Sequence, residues 1–157
     1  MHIFTIRYDF SQQFNVSAED AFKWCTDYKE DDFSLMGMKG RRQIKKVLDE
    51  VIILTDVIHS NGKSTIKKKL VRLDAKRFFW SNTHLAGPNK HSQFLYQIIP
   101  IESKSRLEFT GLQVNYSKTK PSQNEIDSIE SEAKEDDSGI WKKLAKAMEK
   151  DLKQRRA

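Results

Sequence analysis

Residues 59–69 read HSNGKSTIKKK, and that text can be folded in two ways. GKST resembles the end of a loop that cradles nucleotide phosphates, whereas Asn61-Gly62 between β-branched runs is a hairpin turn. A phosphate loop needs a glycine about five residues before its final Gly-Lys pair, so that several backbone amides converge on the anion. Val57 stands at that position, and IKKKLVRL after the motif continues as a strand instead of opening a helix. Asn and Gly both tolerate the positive φ that a two-residue hairpin demands. The stretch is a turn, nucleotide chemistry of the phosphate-loop kind is excluded, and the chain on either side is antiparallel sheet.

Working outward, residues 41–116 hold runs rich in β-branched and aromatic residues, such as VIILTDVI and RFFWSNTHL. Turn signals separate them at Leu48-Asp49-Glu50, Asn61-Gly62, Asp74-Ala75-Lys76, Ala86-Gly87-Pro88-Asn89 and Glu102-Ser103-Lys104-Ser105. These divide the segment into about six strands joined by short hairpins. Before it, residues 2–16 alternate, with Phe4, Ile6, Tyr8 and Phe10 on one face, as a half-buried strand does. VSAEDAFKWCTDYKEDD then carries a capping box, Ser17 and Asp20, and an apolar stripe of Ala21, Phe22, Cys25 and Tyr28, which predicts a helix of about three turns. KEDDFSLMGMKG offers only Phe33, Leu35, Met36 and Met38 as anchors, enough for a second short helix or a tight connection.

The chain closes with a helix from residue 122 to 156. Ser122 and Glu125 form a second capping box, and apolar residues recur at Ile126, Ile129, Ala133, Ile140, Leu144, Met148 and Leu152. Acidic residues crowd its first half and Lys and Arg its second, which complements the helix dipole. Gly139 is the weak point, about 1 kcal/mol poorer than alanine, and can kink or divide the helix.

The 157 residues form one domain, residues 1–157, with a core of ordinary size. Charged residues make up 32%, with an excess of six positive charges, a weak bias toward acidic partners. A lone cysteine, Cys25, excludes an internal disulfide and fits a reducing compartment. No apolar run approaches the roughly 20 residues that span a bilayer. MHIFTIRYDF has neither a basic n-region nor a small-residue cleavage site, so no signal peptide is expected and a cytoplasmic location is.

A sheet with one apolar face needs a cover, and the last helix is the only long apolar stripe available. The expectation is an α+β helix-grip fold: a seven-stranded antiparallel sheet, in the order β-αα-β6-α, curled around a long C-terminal helix. In that order, and in FNVSAEDAFKWCTDY, RRQIKKV and KKKLVRLDAKRFFWSNT, the chain resembles the START-like superfamily, also called SRPBCC or polyketide cyclase-like. The resemblance covers essentially the whole chain. Its members include lipid and isoprenoid carriers, aromatic polyketide cyclases, ribosome-associated proteins and chaperone-activating domains. What it implies is a hydrophobic cavity under the last helix.

Strand parity places Phe78, Trp80, Asn82 and His84 on one face, with Phe94 and Tyr96 on the next strand, and Phe109 beyond. Trp141, Leu144 and Met148 face back from the helix. These side chains either fill the core or wall a cavity in which Asn82 and His84 orient a ligand. Lys68 shares parity with Ile66 and Leu70, so it is a candidate anion contact; the alternative is that consecutive lysines protect an exposed edge strand. GMKG, residues 37–40, matches the loop of KH nucleic-acid domains, and RRQIKKVLDEV has helical spacing. A KH module, however, wants an apolar residue where Gln43 stands. Asp27, Glu30, Asp31 and Asp32 lack the spacing of a calcium loop and read as a solvated turn. No metal or cofactor is expected, and no nucleophile, base and orienter can be assembled around Cys25.

Three functions follow. The first is a non-enzymatic carrier or sensor of a hydrophobic small molecule or lipid. The second is a cyclase or dehydratase in which His84, Asn82 or Tyr96 moves protons. The third is an RNA-, ribosome- or protein-binding module using the basic surface, which the acidic half of the last helix opposes.

Overall fold

The computed structural model describes residues 1–156. Strand β1 (His2–Phe14) leads into helices α1 (Ala18–Cys25) and α2 (Asp32–Leu35). Six strands follow: β2 (Lys39–Leu48), β3 (Val51–Ser60), β4 (Lys63–Asp74), β5 (Phe79–Ala86), β6 (Gln93–Ile101) and β7 (Lys104–Ser117). Helix α3 (Gln123–Arg156) ends the chain. The sheet order is β1-β7-β6-β5-β4-β3-β2, antiparallel throughout, so the last strand returns to pair with the first.

The turns are those the sequence marked. Asn61 and Gly62 both have positive φ, 51° and 72°, in the β3–β4 hairpin. Ser17 caps α1, its Oγ accepting the Asp20 N–H at 3.2 Å. That helix is shorter than expected: the Thr26 hydroxyl and amide both donate to the Phe22 carbonyl and close it, leaving Tyr28 beyond its end at φ 27°. Ser122 and Glu125 exchange backbone-to-side-chain bonds of 2.7 and 3.2 Å at the start of α3. The helix then runs unbroken through Gly139 for 34 residues, about 50 Å.

RRQIKKVL is a strand despite its helical spacing. Its register with β3 runs from Lys39↔His59 to Lys46↔Ile52, and Ile44, Val47 and Leu48 are exposed, so they form no core face. The KH reading falls with it. The lysine strand is also corrected. β4 is an interior strand, bonded to β3 along its length and to β5 from Lys68 to Asp74. Lys68 and Ile66 point away from the helix and are exposed; Lys67, Lys69, Val71 and Leu73 face inward.

Two apolar clusters join sheet to helix. Ile6, Tyr8, Phe94 and Phe109 pack under Ile126, Ile129 and Ala133 near the start of α3. A larger cluster centred on Phe14, Phe22, Leu54, Trp80, Ile98 and Leu107 packs under Ala145 and Met148. Gly111 lets the first cluster close: Tyr8 lies across the strand pair directly over it, and a Cβ there would stand 2.6 Å from the ring. Between the two clusters the helix is not seated on the sheet, and the space is open.

Candidate functional site

That space is a cavity of about 300 Å³ bounded by α1, α2, the inner face of β2–β7 and the middle of α3. One wall is made of rings. Trp80 and Tyr96, on adjacent strands in register, stack at 4.7 Å with planes 2° apart. Tyr96 meets Phe109 edge-on at 5.2 Å, and Trp141 from α3 leans on Tyr96 at 5.7 Å. Phe94 and Leu144 complete this side. Such pairs hold ring planes at fixed angles as well as burying area, which makes a stiff apolar wall.

The opposite wall is ionic. Asp56 on β3 has no exposed surface. It accepts Arg42 Nε–H and Nη2–H at 2.8 and 3.0 Å, and Lys69 Nζ donates to its Oδ2 at 2.9 Å. Arg42 also reaches Asp32 of α2 at 3.0 Å, and its guanidinium lies 4.9 and 5.4 Å from the ring centres of Phe33 and Tyr28. Asp32, read as part of a solvated turn, is therefore an anchor tying α2 to β2. Burial alone would raise the Asp56 carboxyl, but the Arg42 and Lys69 bonds outweigh it and hold it below the usual carboxylate range. Burial depresses the Lys69 ammonium, more than its Asp56 partner restores.

Asn82 and His84 stand between the two walls on β5, opposite Val71 and Lys69. Both are more than nine-tenths buried, and Asn82 Oδ1 and His84 Nδ1 have no hydrogen-bond partner. Burial, then the charges of Lys69 and Lys67, push His84 down to about 3, so the ring is neutral at pH 7. From the roof, Asp137 accepts the Tyr8 hydroxyl; burial pushes both groups up, helped for Tyr8 by the Asp137 charge and for Asp137 by neighbouring Asp136. Burial also pushes the Cys25 thiol and the Tyr28 and Tyr96 phenols up, which leaves them protonated and poor nucleophiles.

Of the residues singled out in the sequence, Trp80, Asn82, His84, Phe94, Tyr96, Phe109, Trp141 and Leu144 line this cavity. Phe78 does not: it occupies the β4–β5 turn at φ 52° and packs on Phe22 at 6.0 Å. Met148 is wholly enclosed in the larger cluster. Lys68 is on the outer face, and Lys67 and Lys69 hold the place assigned to it. Arg42, Asp56 and Asp137 were not anticipated. Asp137 left a trace, since it falls on the apolar stripe, one helical turn from Ala133 and from Trp141. A second cleft, of about 430 Å³, lies where the start of α3 leaves β7, lined by Phe4, Tyr116, Pro121 and Ile129; it is more open to solvent. Among the described residues there is no His, Cys, Asp and Glu grouping able to hold a metal, and no helix is long and apolar enough to cross a membrane.

No protein-family model matches the chain, and no curated protein does. Solved structures match over nearly its whole length. The Zhui aromatase/cyclase from Streptomyces sp. R1128 is similar at 11% identity and a TM-score of 0.75, with 96% of each chain covered. A START superfamily protein from Mycobacterium smegmatis is similar at 15% identity and 0.72, covering 92% of this chain and 97% of that one. Norcoclaurine synthase from Thalictrum flavum, solved with dopamine and hydroxybenzaldehyde, is similar at 11% identity and 0.69, covering 94% and 88%. At such identities the likeness is one of fold.

Proposed function

Starting from a chain with the helix-grip fold of the START-like superfamily, we propose that it binds a hydrophobic small molecule between sheet and α3 and does not transform it. The observation that carries this reading is the cavity of about 300 Å³ with its ring-built wall. Ligand sites are concave, mostly apolar, and furnished with a few polar groups that set orientation. Trp80, Tyr96 and Trp141 supply the first feature, and Asn82 and His84 the second.

A cyclase or dehydratase reading has one observation in its favour, the convergence of Asn82 and His84 on one face. The proton chemistry argues against it. A general base works best with a pKa near the operating pH. His84 at about 3 carries a proton on about one ring in ten thousand at pH 7 and is a correspondingly feeble base. Tyr96 and Tyr28 are held as neutral phenols by burial. What remains is a set of hydrogen-bonding groups suited to holding a ligand.

The test is titration with 1-aminoanthracene, a neutral fluorescent probe small enough for the cavity, beside native mass spectrometry of gently purified protein. A single saturable site is expected, weakened about tenfold or more in Leu144→Trp, which fills the cavity from α3. Absence of saturable enhancement, or binding indifferent to the filled cavity, overturns the proposal.

A further inference from the structure

The charges around the cavity balance. Arg42, Lys67 and Lys69 are the cations of its lining, and Asp32, Asp137 and the enclosed Asp56 are the carboxyl groups. Asp56 is shared by Arg42 and Lys69, Asp32 is bonded to Arg42, and Asp137 faces Lys67 from α3 across the space. An ionised ligand seated here would bring a charge with no counterpart into a largely enclosed site, which is costly. The ligand that this lining suits is uncharged.

What the lining lacks is hydrogen-bond partners. Asn82 and His84 stand two residues apart on β5, 8% and 6% exposed, and border the cavity. Asn82 Oδ1 and His84 Nδ1 have no partner. An amide oxygen only accepts, so it calls for a donor, and a carboxylate or an ether offers none. A neutral imidazole carries one N–H and one lone pair, so it suits a partner that both gives and takes. A hydroxyl is the small neutral group that does both. Alternate residues of a strand stand about 7 Å apart on one face, close enough for one oxygen between their tips to bond both at about 2.8 Å. A buried polar group left bare is costly, and a ligand group that reaches it removes that cost.

We propose that the molecule held in this cavity is an uncharged alcohol or phenol, its hydroxyl donating to Asn82 Oδ1 and accepting from the His84 ring N–H, with its apolar body laid against Trp80 and Tyr96. This rests on the ligand-binding reading above. Arg42, Asp56 and Lys69 bond one another and take no part in recognising the hydroxyl. At about 30 Å³ for each water-sized group, the cavity takes about ten non-hydrogen atoms, somewhat more when closely packed. That is one fused bicyclic body or one medium-length chain, and excludes a lipid with two acyl chains.

The experiment displaces 1-aminoanthracene at pH 7 with naphthalenes that differ at one substituent: 2-naphthol, 2-methylnaphthalene, 2-naphthoate and 2-naphthylmethylamine. A purely apolar pocket would prefer 2-methylnaphthalene to 2-naphthol by about tenfold, because a hydroxyl leaves water at a cost. Here 2-naphthol is expected to bind at least as tightly as 2-methylnaphthalene, and about tenfold tighter than either ion or better. In Asn82→Leu and in His84→Phe, each close to the natural side chain in shape, the ratio of naphthol to methylnaphthalene affinity is expected to fall about fivefold or more. A preference of the natural protein for 2-methylnaphthalene overturns the hydroxyl while leaving the ligand-binding reading intact, whether or not the variants fold. Tightest binding of 2-naphthoate or of 2-naphthylmethylamine overturns the uncharged ligand. An unchanged ratio in either variant overturns the placing of the hydroxyl between Asn82 and His84. Failure of 1-aminoanthracene to bind, or of all the naphthalenes to displace it, overturns both readings.

Discussion

The two walls of the cavity are held by opposite physics. On β5–β7 and α3 the contacts are between rings, non-directional in the main, and each ring has several neighbours that share its burial. On β2–β4 the contacts are charge-assisted hydrogen bonds with fixed partners, and every member depends on the next. Losing a ring leaves a hole that neighbours can partly fill. Losing one ion leaves charges in a low-dielectric site with no counterpart, a state that no repacking relieves.

The sharpest way to break this comparison is Asp56→Ala. It strands Lys69 and leaves Arg42 beside it with Asp32 alone, and unfolding in urea is expected to show a loss of about 3–5 kcal/mol. The triple variant Arg42→Met, Asp56→Leu, Lys69→Met removes the three most enclosed charges together, leaving only the partly exposed Asp32 without its Arg42 partner, and is expected to recover most of that loss, because apolar replacements of buried ion networks are commonly neutral or stabilising. A loss below about 1 kcal/mol for Asp56→Ala, the level of an exposed pair, would mean that water reaches this wall in solution.

A second, smaller effect comes from the histidine where the walls meet. Folding lowers His84 from an ordinary 6.5 to about 3, so between those values the unfolded chain binds a proton that the folded chain does not. Stability then rises with pH: the contribution is complete above about 6.5 and falls by about 1.4 kcal/mol for each unit below it. From pH 6 to 4.5 the loss is about 2 kcal/mol. Asp137, whose carboxyl is raised, works in the opposite sense at the lower end of the range, and Asp56, whose carboxyl is depressed, adds its own loss only as pH falls through the unfolded carboxylate value near about 3.9. Urea curves at the two pH values are expected to separate less in His84→Gln than in the natural protein. Equal separations would show that the ring titrates freely in the folded state and that the gap between the walls is wet.

Only one of these walls was visible in the amino-acid text. Rings declare themselves: Trp80, Tyr96 and Phe109 sit at alternate positions of runs bounded by turn residues, and alternation alone puts them on one face. Single charges in alternating strands look like the solvent side, which is how Arg42 and Asp56 escaped notice. The lysine run shows the same difficulty more plainly. Lys67, Lys68 and Lys69 carry no phase of their own, and Ile66, the obvious apolar guide, is 59% exposed. What fixes their phase is Val71, fully enclosed against β3 and β5, and that can be read only once both neighbours are in register. The turns and caps were legible because their chemistry is local: Asn61-Gly62, Ser17 with Asp20, and Ser122 with Glu125 act within a few residues. Pairing of Arg42 with Asp56 spans a hairpin, and that of Tyr8 with Asp137 spans almost the whole chain.

Helix α3 closes both walls, and its middle is where support from the sheet is thinnest. Ala145 and Met148 are buried on the large cluster, whereas Asp137, Ile140, Trp141 and Leu144 border the cavity. Over that stretch the helix depends more on its own backbone preferences, and there it carries Gly139, beside which an added Cβ would meet no atom within 4 Å. With no steric penalty and a helical backbone on both sides, Gly139→Ala is expected to stabilise the protein by up to about 1 kcal/mol, read as a raised urea midpoint at constant slope. The gain comes from two sources, the stiffer unfolded chain and the better helix former, and both require this turn to be helical in the folded state. A variant that gains nothing would place the break in α3 over the cavity itself, at the one turn where neither the rings nor the ions hold it down.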